Sequence, residues 1–277
     1  MTRESSQTQA GLGGTESGAQ QTHFGYREVA PGEKASLVRG VFESVAGKYD
    51  IMNDLMSGGI HRLWKNAMLD LLDPQPGQTL LDVAGGTGDI AFRALGRLAE
   101  KSSERQSKAE NQPTGQVIIC DLTEDMLQVG RSRSIDRGHL RGLSWVCGDA
   151  QALPLPNRSV EAYSIAFGLR NVTHIDQALR EAHRALRPGG RFVCLEFSHV
   201  VLPLLKELYD LYSFNALPAL GKIIAGDEEA YRYLAESIRR FPPQEELAEM
   251  MKAAGFAGVR YQNLSGGIAA LHSGWRV

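Results

Sequence analysis

The chain has 277 residues, of which 43% are apolar and 22% are charged, fractions that are ordinary for a globular protein. Its formal net charge is only -2, so we expect no nucleic-acid partner and at most peripheral contact with a membrane. No run approaches the roughly 18 uncharged apolar residues that a membrane span requires. These properties exclude the membrane-spanning and polybasic classes and favour one large domain or two small ones.

The N-terminal part of the chain changes character near residue 24. Residues 1–23 are rich in Gly, Ser, Thr and Gln, without an apolar signal core or an Arg-rich transit pattern, so we predict a disordered tail on a cytoplasmic protein. Between residues 24 and 75, apolar side chains recur at helical spacing, which predicts an N-terminal helical cap. The two stripes consist of Val38, Val41, Phe42 and Val45, and of Trp64, Met68, Leu71 and Leu72.

From residue 79 onward, short apolar runs alternate with helical patterns. We predict strands over 79–84, 116–120, 144–147, 160–167 and 191–197, then 259–264 and 268–272 as a hairpin. Helices are predicted over 89–99 and 124–133, after an N-cap at Thr173, and from about Pro243. The polar residues 97–116 predict a surface insertion, and the Leu- and Tyr-rich residues 200–240 predict a helical substrate cover.

This alternation predicts an α/β fold, a doubly wound and mostly parallel seven-stranded sheet of the Rossmann-like kind with a terminal antiparallel hairpin. In sheets of this kind, ligands bind outside the carboxyl ends of the strands. We therefore expect the loops at 84–89, 121–123, 148–152 and 167–172 to converge on one site within a single domain over 24–277.

The first of these loops is rich in glycine, which lets the backbone approach a ligand closely. Two ligand classes suit it. Gly86, Gly88 and Ala91 match the dinucleotide pattern G-x-G-x-x-A, a weak signal when it stands alone. Asp82 at the strand end, followed by the same two glycines, suits the cofactor of a methyltransferase instead.

Two acids further along the chain bear on this choice. Asp121 follows the second strand, where a carboxylate accepts ribose hydroxyls in either ligand class. Asp149 and Ala150 follow the third strand, where an acid and a small residue can frame an adenine ring. The dinucleotide pattern does not ask for this third position, so the combination favours S-adenosylmethionine.

Four stretches of the chain are distinctive: YDIMNDLMS (49–57) with His61 and Trp64, LDVAGGTGD (81–89), FGLRNVT (167–173) and RALRPGGRFVCLEFS (184–198). Through them the sequence resembles the class I methyltransferases, and more closely the ubiquinone/menaquinone biosynthesis C-methyltransferase family. The likeness runs from about Phe24 to the end, apart from the insertion at 97–116.

The resemblance implies S-adenosylmethionine as cofactor, no metal, and a polyprenylated quinol as substrate. It assigns Thr87, Asp121, Asp149 and Ala150 to the cofactor. Some family members have a serine before FGLRN that is assigned to the cofactor, where this chain has Ala166. The missing hydroxyl removes one hydrogen bond, worth about 0.5–1.5 kcal/mol, which is too little to abolish cofactor binding.

The implied reaction is methylation of a ring carbon of 2-polyprenyl-6-methoxy-1,4-benzoquinol or demethylmenaquinol. We predict catalytic roles for Arg170 and Asn171 because they follow the fourth strand; Arg170 would stabilise a phenolate or orient a water. For Arg170 the alternative is a structural ion pair. Substrate contacts are predicted, against a packing role in the helical cap, for Tyr49, Asp50, Asn53 and His61.

Three alternatives remain open from the residues alone. One is a methyltransferase for another small aromatic or lipid acceptor, and a second is an NAD-dependent oxidoreductase. The third is a non-catalytic subunit associated with other quinone-biosynthesis enzymes. The apolar stripe in residues 200–225 predicts either core packing, a tunnel for a prenyl tail, or a surface that touches the inner membrane.

Overall fold

The computed structural model describes residues 22–45, 54, 57–106, 115–203, 207, 211 and 228–277. Parts of the regions predicted from the sequence, residues 1–21, 46–53, 107–114 and most of 204–227, lie outside these ranges. Strand β1 covers Thr22–Phe24 and pairs in antiparallel fashion with β2, Arg27–Val29. Thr22 and His23, which the prediction placed in the tail, are paired in β1.

Seven further strands, β3 to β9 in chain order, cover Thr79–Val83, Gln116–Asp121, Leu143–Cys147, Val160–Ala166, Leu186–Phe197, Ala257–Leu264 and Ala269–Trp275. They confirm the predicted seven-stranded sheet, with the strand order β5-β4-β3-β6-β7-β9-β8. Strands β3 to β7 run parallel, and β9 and β8 form the antiparallel terminal hairpin. The order reverses direction between β3 and β6, which is where a doubly wound sheet binds its ligand.

Helices cover both faces of the sheet because consecutive strand residues point to opposite sides. Leu80 packs into one buried cluster and Leu81 into the other. The described helices, α1 to α7, are Pro31–Val45, His61–Leu72, Asp89–Gln106, Glu124–Asp136, Ile175–Ala185, Glu228–Arg240 and Gln244–Ala253. None of the helices in the described ranges is long and apolar enough to cross a membrane.

Two local predictions differ from the structure. Helix α3 continues seven residues past Ala99, because Ser102 is buried and Lys101 forms an ion pair with Asp73 at 2.5 Å. The first part of the predicted surface insertion is therefore a packed helix. Helix α5 has His174 rather than Thr173 at its N-cap, without a side-chain capping bond.

Candidate functional site

A pocket opens where β3, β4, β5 and β6 end. The four loops that follow these strands line it, together with Ala35 and Val38 from α1 and Lys65 from α2. The convergence expected from the topology is therefore observed. Of the predicted site residues, the pocket brings together Asp82, Gly86, Thr87, Asp121, Asp149, Ala150 and Asn171.

The glycine loop is tight because its backbone conformations and contacts exclude larger residues. Gly86 has φ +53° and Gly88 has φ +84°, in the region that favours glycine. A Cβ atom at Gly85 would lie 2.8 Å from Oδ2 of Asp82, and one at Gly88 would lie 2.9 Å from the Trp145 ring. Gly88 does not line the pocket; it turns the chain into α3.

Asp121 joins the glycine loop to the end of β4. Its Oδ2 accepts a hydrogen bond from the Gly86 backbone N–H at 2.8 Å, and its Oδ1 accepts one from the Thr123 N–H at 2.9 Å. Burial raises the pKa of Asp121, and these backbone donors oppose the shift. Because a carboxylate oxygen accepts more than one hydrogen bond, both oxygens retain capacity for ribose hydroxyls.

Asp82 presents a buried acceptor to the pocket. The Ser164 hydroxyl donates to its Oδ1 at 2.7 Å, whereas its buried Oδ2 has no hydrogen-bond partner among the described residues. Burial raises the pKa of Asp82 to about 7. A cationic group placed beside Oδ2 would satisfy the oxygen and favour the ionised carboxylate.

Lys65 also lines the pocket, although its sequence position gave no sign of this. It projects from α2 and donates to Oδ2 of Asp89 at 2.8 Å, so its charge is already balanced. The pair ties α2 to the first turn of α3, directly after the glycine loop. Only the helical spacing from Trp64 and Met68 marked this helix, and it placed Lys65 beside the apolar stripe.

One end of the pocket is built by a turn after β5. Oδ1 of Asp149 accepts the Gln151 backbone N–H at 2.8 Å, and the Gln151 Oε1 accepts the His174 N–H at 2.8 Å. Gln151, which sequence reasoning missed, thus joins this turn to the start of α5. Apolar walls are supplied by Leu122 and Met126.

Thr87 is buried in the glycine loop after β3, and Arg133 of α4 donates to its Oγ1 at 3.0 Å. A hydroxyl that accepts at one lone pair retains its own hydrogen for donation. Thr87 is therefore suited to donate to an anionic group in the pocket. Arg133 is a further residue that the sequence did not single out, because the contact joins residues 46 positions apart.

The structure corrects the placement of Arg170. Its guanidinium does not reach the mouth of the pocket; the side chain is fully buried and donates to Glu196 Oε1 and to the Phe167 carbonyl, both at 2.6 Å. Phe167 has φ +57°, a strained conformation for a bulky residue. Arg170 thus holds the strained end of β6, as the ion-pair alternative anticipated, and we assign it a positioning role.

His61 is also misplaced by the prediction. Its ring is buried, with Nδ1 3.0 Å from the Ser57 Oγ, and it borders a second, polar cavity beside Thr87 rather than the main pocket. Burial, with a smaller contribution from Lys65, lowers the pKa of His61 to about 4, so the ring is neutral near pH 7. The other predicted substrate residues, Tyr49, Asp50 and Asn53, lie outside the described residues.

Comparison with known proteins decides between the ligand classes. Residues 30–276 match the model of the ubiE/COQ5 methyltransferase family. The chain belongs to this family. It is 54% identical over 256 residues to the ubiquinone/menaquinone biosynthesis C-methyltransferase UbiE of Cereibacter sphaeroides, covering 92% of this chain and 97% of the relative. It is 53% identical over 260 residues to the mitochondrial 2-methoxy-6-polyprenyl-1,4-benzoquinol methylase of Oryza sativa, covering 92% and 88%.

The fold agrees with this assignment. A solved methyltransferase from Thermotoga maritima, described as S-adenosylmethionine-dependent, superposes with a TM-score of 0.59 at 17% identity, covering 86% of this chain and 99% of that one. The protein is thus an S-adenosylmethionine-dependent methyltransferase. The described pocket fits that cofactor, because the acceptor of Asp82 suits its ammonium group and Asp121 suits its ribose.

Proposed function

We propose that the protein methylates a ring carbon of a polyprenylated benzoquinol, 2-polyprenyl-6-methoxy-1,4-benzoquinol, or of demethylmenaquinol, in ubiquinone or menaquinone biosynthesis. The observation that carries the proposal is the match to relatives named for these reactions at 53–54% identity over 92% of the chain. The pocket supports it, because polar cofactor contacts lie beside apolar walls from Val38, Ile90 and Phe167 that suit an aromatic ring.

S-adenosylmethionine supplies an electrophilic methyl group. In the proposed arrangement, Asp82 holds the ammonium group, Asp121 the ribose and Asp149 with Ala150 the adenine, while Thr87 donates to the carboxylate. Asp82, Thr87 and Asp121 are held by hydrogen bonds to neighbouring elements, and Asp149 by one within its own turn. Such preorganisation aligns the reacting atoms, and alignment alone contributes up to about 7–11 kcal/mol in favourable cases.

The quinol ring carbon is the nucleophile. Its electron pair forms the new bond to the methyl carbon while the bond from sulfur to that carbon breaks, its electron pair remaining on sulfur. The ring carbon then loses its proton to solvent, which restores the aromatic ring. Asn171 lies at the wall of the pocket next to Phe167 and Gly168, where we place the quinol oxygen beside the reacting carbon.

We further propose that the substrate is met at a membrane surface, from the cytoplasmic side, because a polyprenyl tail partitions into lipid. Apolar side chains at Val201, Leu202 and Leu211, within the region 200–240 predicted as a substrate cover, are more than half exposed. Association with other enzymes of quinone biosynthesis is a related proposal, since their intermediates share this tail.

The test is transfer of isotope-labelled methyl from S-adenosylmethionine to a short-tailed 6-methoxybenzoquinol and to a short-tailed demethylmenaquinol, followed by mass spectrometry of the ring. Asp121→Ala should weaken cofactor binding by about 100-fold or more, since it removes two charge-assisted hydrogen bonds. Asp136→Ala is the matched control, because Asp136 is exposed at the far end of α4.

Labelled product from either quinol with wild-type protein supports the proposal. Methylation of other aromatic or lipid acceptors, with neither quinol turned over, would overturn the substrate assignment while leaving the enzyme class intact. Equal cofactor affinity for Asp121→Ala and Asp136→Ala, measured by calorimetry, would overturn the role of Asp121.

A further inference from the structure

The substrate side of the pocket is held by a side chain from a distant helix. Tyr233 of α6 is buried, and its hydroxyl donates to Oδ1 of Asn171 at 3.0 Å. On the next residue, the carbonyl oxygen of Val172 accepts a hydrogen bond from Nζ of Lys34 in α1 at 3.1 Å. Two elements remote in sequence therefore fix one short loop.

The Tyr233 ring has little freedom to turn. The Phe24 ring stacks on it with the centroids 4.2 Å apart and an angle of 13° between the planes. Burial raises the pKa of the Tyr233 hydroxyl well above neutrality, so this group keeps its proton and can donate it. The bond to Asn171 is therefore set by a rigid and protonated donor.

This donor determines what Asn171 presents to the pocket. With Oδ1 occupied by Tyr233, the other end of the amide is Nδ2, which carries two hydrogens and no lone pair for accepting. Within the described part of the chain, no group accepts a hydrogen bond from Nδ2, and Asn171 lines the pocket. Asn171 thus faces the ligand as a hydrogen-bond donor.

We propose that Tyr233 is a positioning residue that locks the Asn171 amide as a donor toward the quinol oxygen next to the reacting carbon. A donor at this point stabilises the oxygen as it becomes a phenolate, the form that makes the ring carbon a strong nucleophile. A reversed amide would place its oxygen against the same negative charge. The inference rests on the proposed function and deepens it, because it selects the ionised quinol.

Other charged groups also surround the loop and could affect the pH profile. Those that face it or line the pocket are Lys34, Lys65, Asp82, Asp89, Asp121, Asp149, Arg170 and Glu196. All of them remain in place when Tyr233 is changed to Phe. A change in the pH profile between wild type and Tyr233→Phe is therefore assigned to the missing hydroxyl.

The experiment compares the full-length wild type with Tyr233→Phe, Asn171→Asp and the double variant, using a short-tailed 6-methoxybenzoquinol. Asn171→Asp keeps the shape and the acceptor for Tyr233 but removes the donor. Ser237→Ala is the matched control, because this buried hydroxyl of α6 bonds within its own helix, to the Leu234 carbonyl at 2.8 Å. The readouts are kcat against pH, cofactor affinity and Tm.

Tyr233→Phe should lower kcat about 10-fold and move the rising limb of its pH profile up by about 1 pH unit, since the bound phenolate loses stabilisation. Cofactor affinity and Tm should stay near those of Ser237→Ala. The double variant should be no slower than Asn171→Asp, because Tyr233 acts through Asn171. If both single variants are slow and the double variant combines their two losses of kcat in full, the two residues act separately and the proposal is overturned.

Two further outcomes also decide. An unchanged kcat profile for Tyr233→Phe, with wild type active on the quinol, overturns this inference alone. Losses of kcat and Tm that lack any shift of the pH profile assign Tyr233 a purely structural role and overturn it as well. If wild type turns over neither quinol, the proposed function fails, and the inference that rests on it fails too.

Discussion

The half of the pocket in which we propose that the cofactor binds is formed by the loops after β3, β4 and β5, and it is built mainly from contacts between adjacent strand ends. Asp121 bonds to the glycine loop beside it, and Asp149 bonds within its own turn. The half that we propose for the substrate, residues 166–173, is held by side chains from two helices that lie far from it in the sequence. Tyr233 of α6 bonds to Asn171, and Lys34 of α1 bonds to Val172.

This difference separates two tasks. The adenine, ribose and amino-acid parts of S-adenosylmethionine are the same for every enzyme that uses it, so strand-end geometry and a few acids on the strand-end loops suffice to bind them. The substrate that accepts the methyl group differs between enzymes, and residues that are close only in the folded chain must shape its site. We therefore expect damage to long-range contacts to reduce turnover more than cofactor affinity.

The largest effect should come from Glu196→Gln, which breaks the buried pair with Arg170. Leaving a buried guanidinium without its carboxylate should lower the free energy of unfolding by about 3–5 kcal/mol. Urea unfolding measures this change. At low temperature, calorimetry measures cofactor affinity, which reports on the cofactor half, and the assay measures turnover, which reports on the substrate half. Turnover should fall further than cofactor affinity.

Glu249→Gln is the control for this prediction. It removes an equally short ion pair, to Lys252 at 2.6 Å, but on an exposed helix surface. Its unfolding curve should match the wild type, because exposed pairs contribute little. If Glu196→Gln unfolds like Glu249→Gln, the end of β6 is not held by charge, and the contrast between the two halves loses its strongest support.

Sequence reasoning succeeded where structure follows from a local pattern. The strand runs and glycine loop predicted the sheet, and its strands end within one residue of the predicted ends for β3 to β7. Asp121 and Asp149 were found because the end of a parallel strand marks a ligand site irrespective of its partners. The end of α3 was misjudged because burial of Ser102 depends on tertiary packing.

The substrate half resisted prediction for a physical reason. Arg170 follows a strand end, as a catalytic residue would, but its carboxylate partner Glu196 lies 26 residues further on. Nothing near Arg170 in the sequence indicates that the side chain turns inward. Likewise, Tyr233 looked like one of several aromatic residues in a helical cover, since only the fold places its hydroxyl against Asn171.

A second prediction concerns the cofactor half and the proton on Asp82. Its pKa of about 7 arises from burial, and a bound cation beside Oδ2 should lower it. Below pH 7 the free protein holds this proton and the complex does not, so binding should release up to one proton. Affinity should therefore rise with pH between about 6 and 7, by up to about 10-fold per unit.

Calorimetry in two buffers with different ionisation enthalpies measures the proton release. Asp82→Asn cannot release a proton, so the difference between the two proteins isolates this group from the cofactor's own titration. Ser164→Ala should raise the pKa of Asp82 further, because the Ser164 hydroxyl favours the ionised form. Equal proton release from wild type and Asp82→Asn would remove Asp82 from the ammonium site.

The smallest predicted effect lies at the boundary between the two halves. Ala166, the last residue of β6, lines the pocket at the position where the resemblance implies a serine in some family members. Ala166→Ser should tighten S-adenosylmethionine binding by about 2- to 10-fold, the equivalent of one hydrogen bond of about 0.5–1.5 kcal/mol. Ala166→Cys is the matched control, since it adds an atom of similar size that is only a weak donor. Calorimetry should show a higher affinity for S-adenosylmethionine in Ala166→Ser and an unchanged affinity in Ala166→Cys. Similar gains for both would indicate packing rather than hydrogen bonding, and weaker binding for both would mean that the walls beside Ala166 leave no room for the added atom.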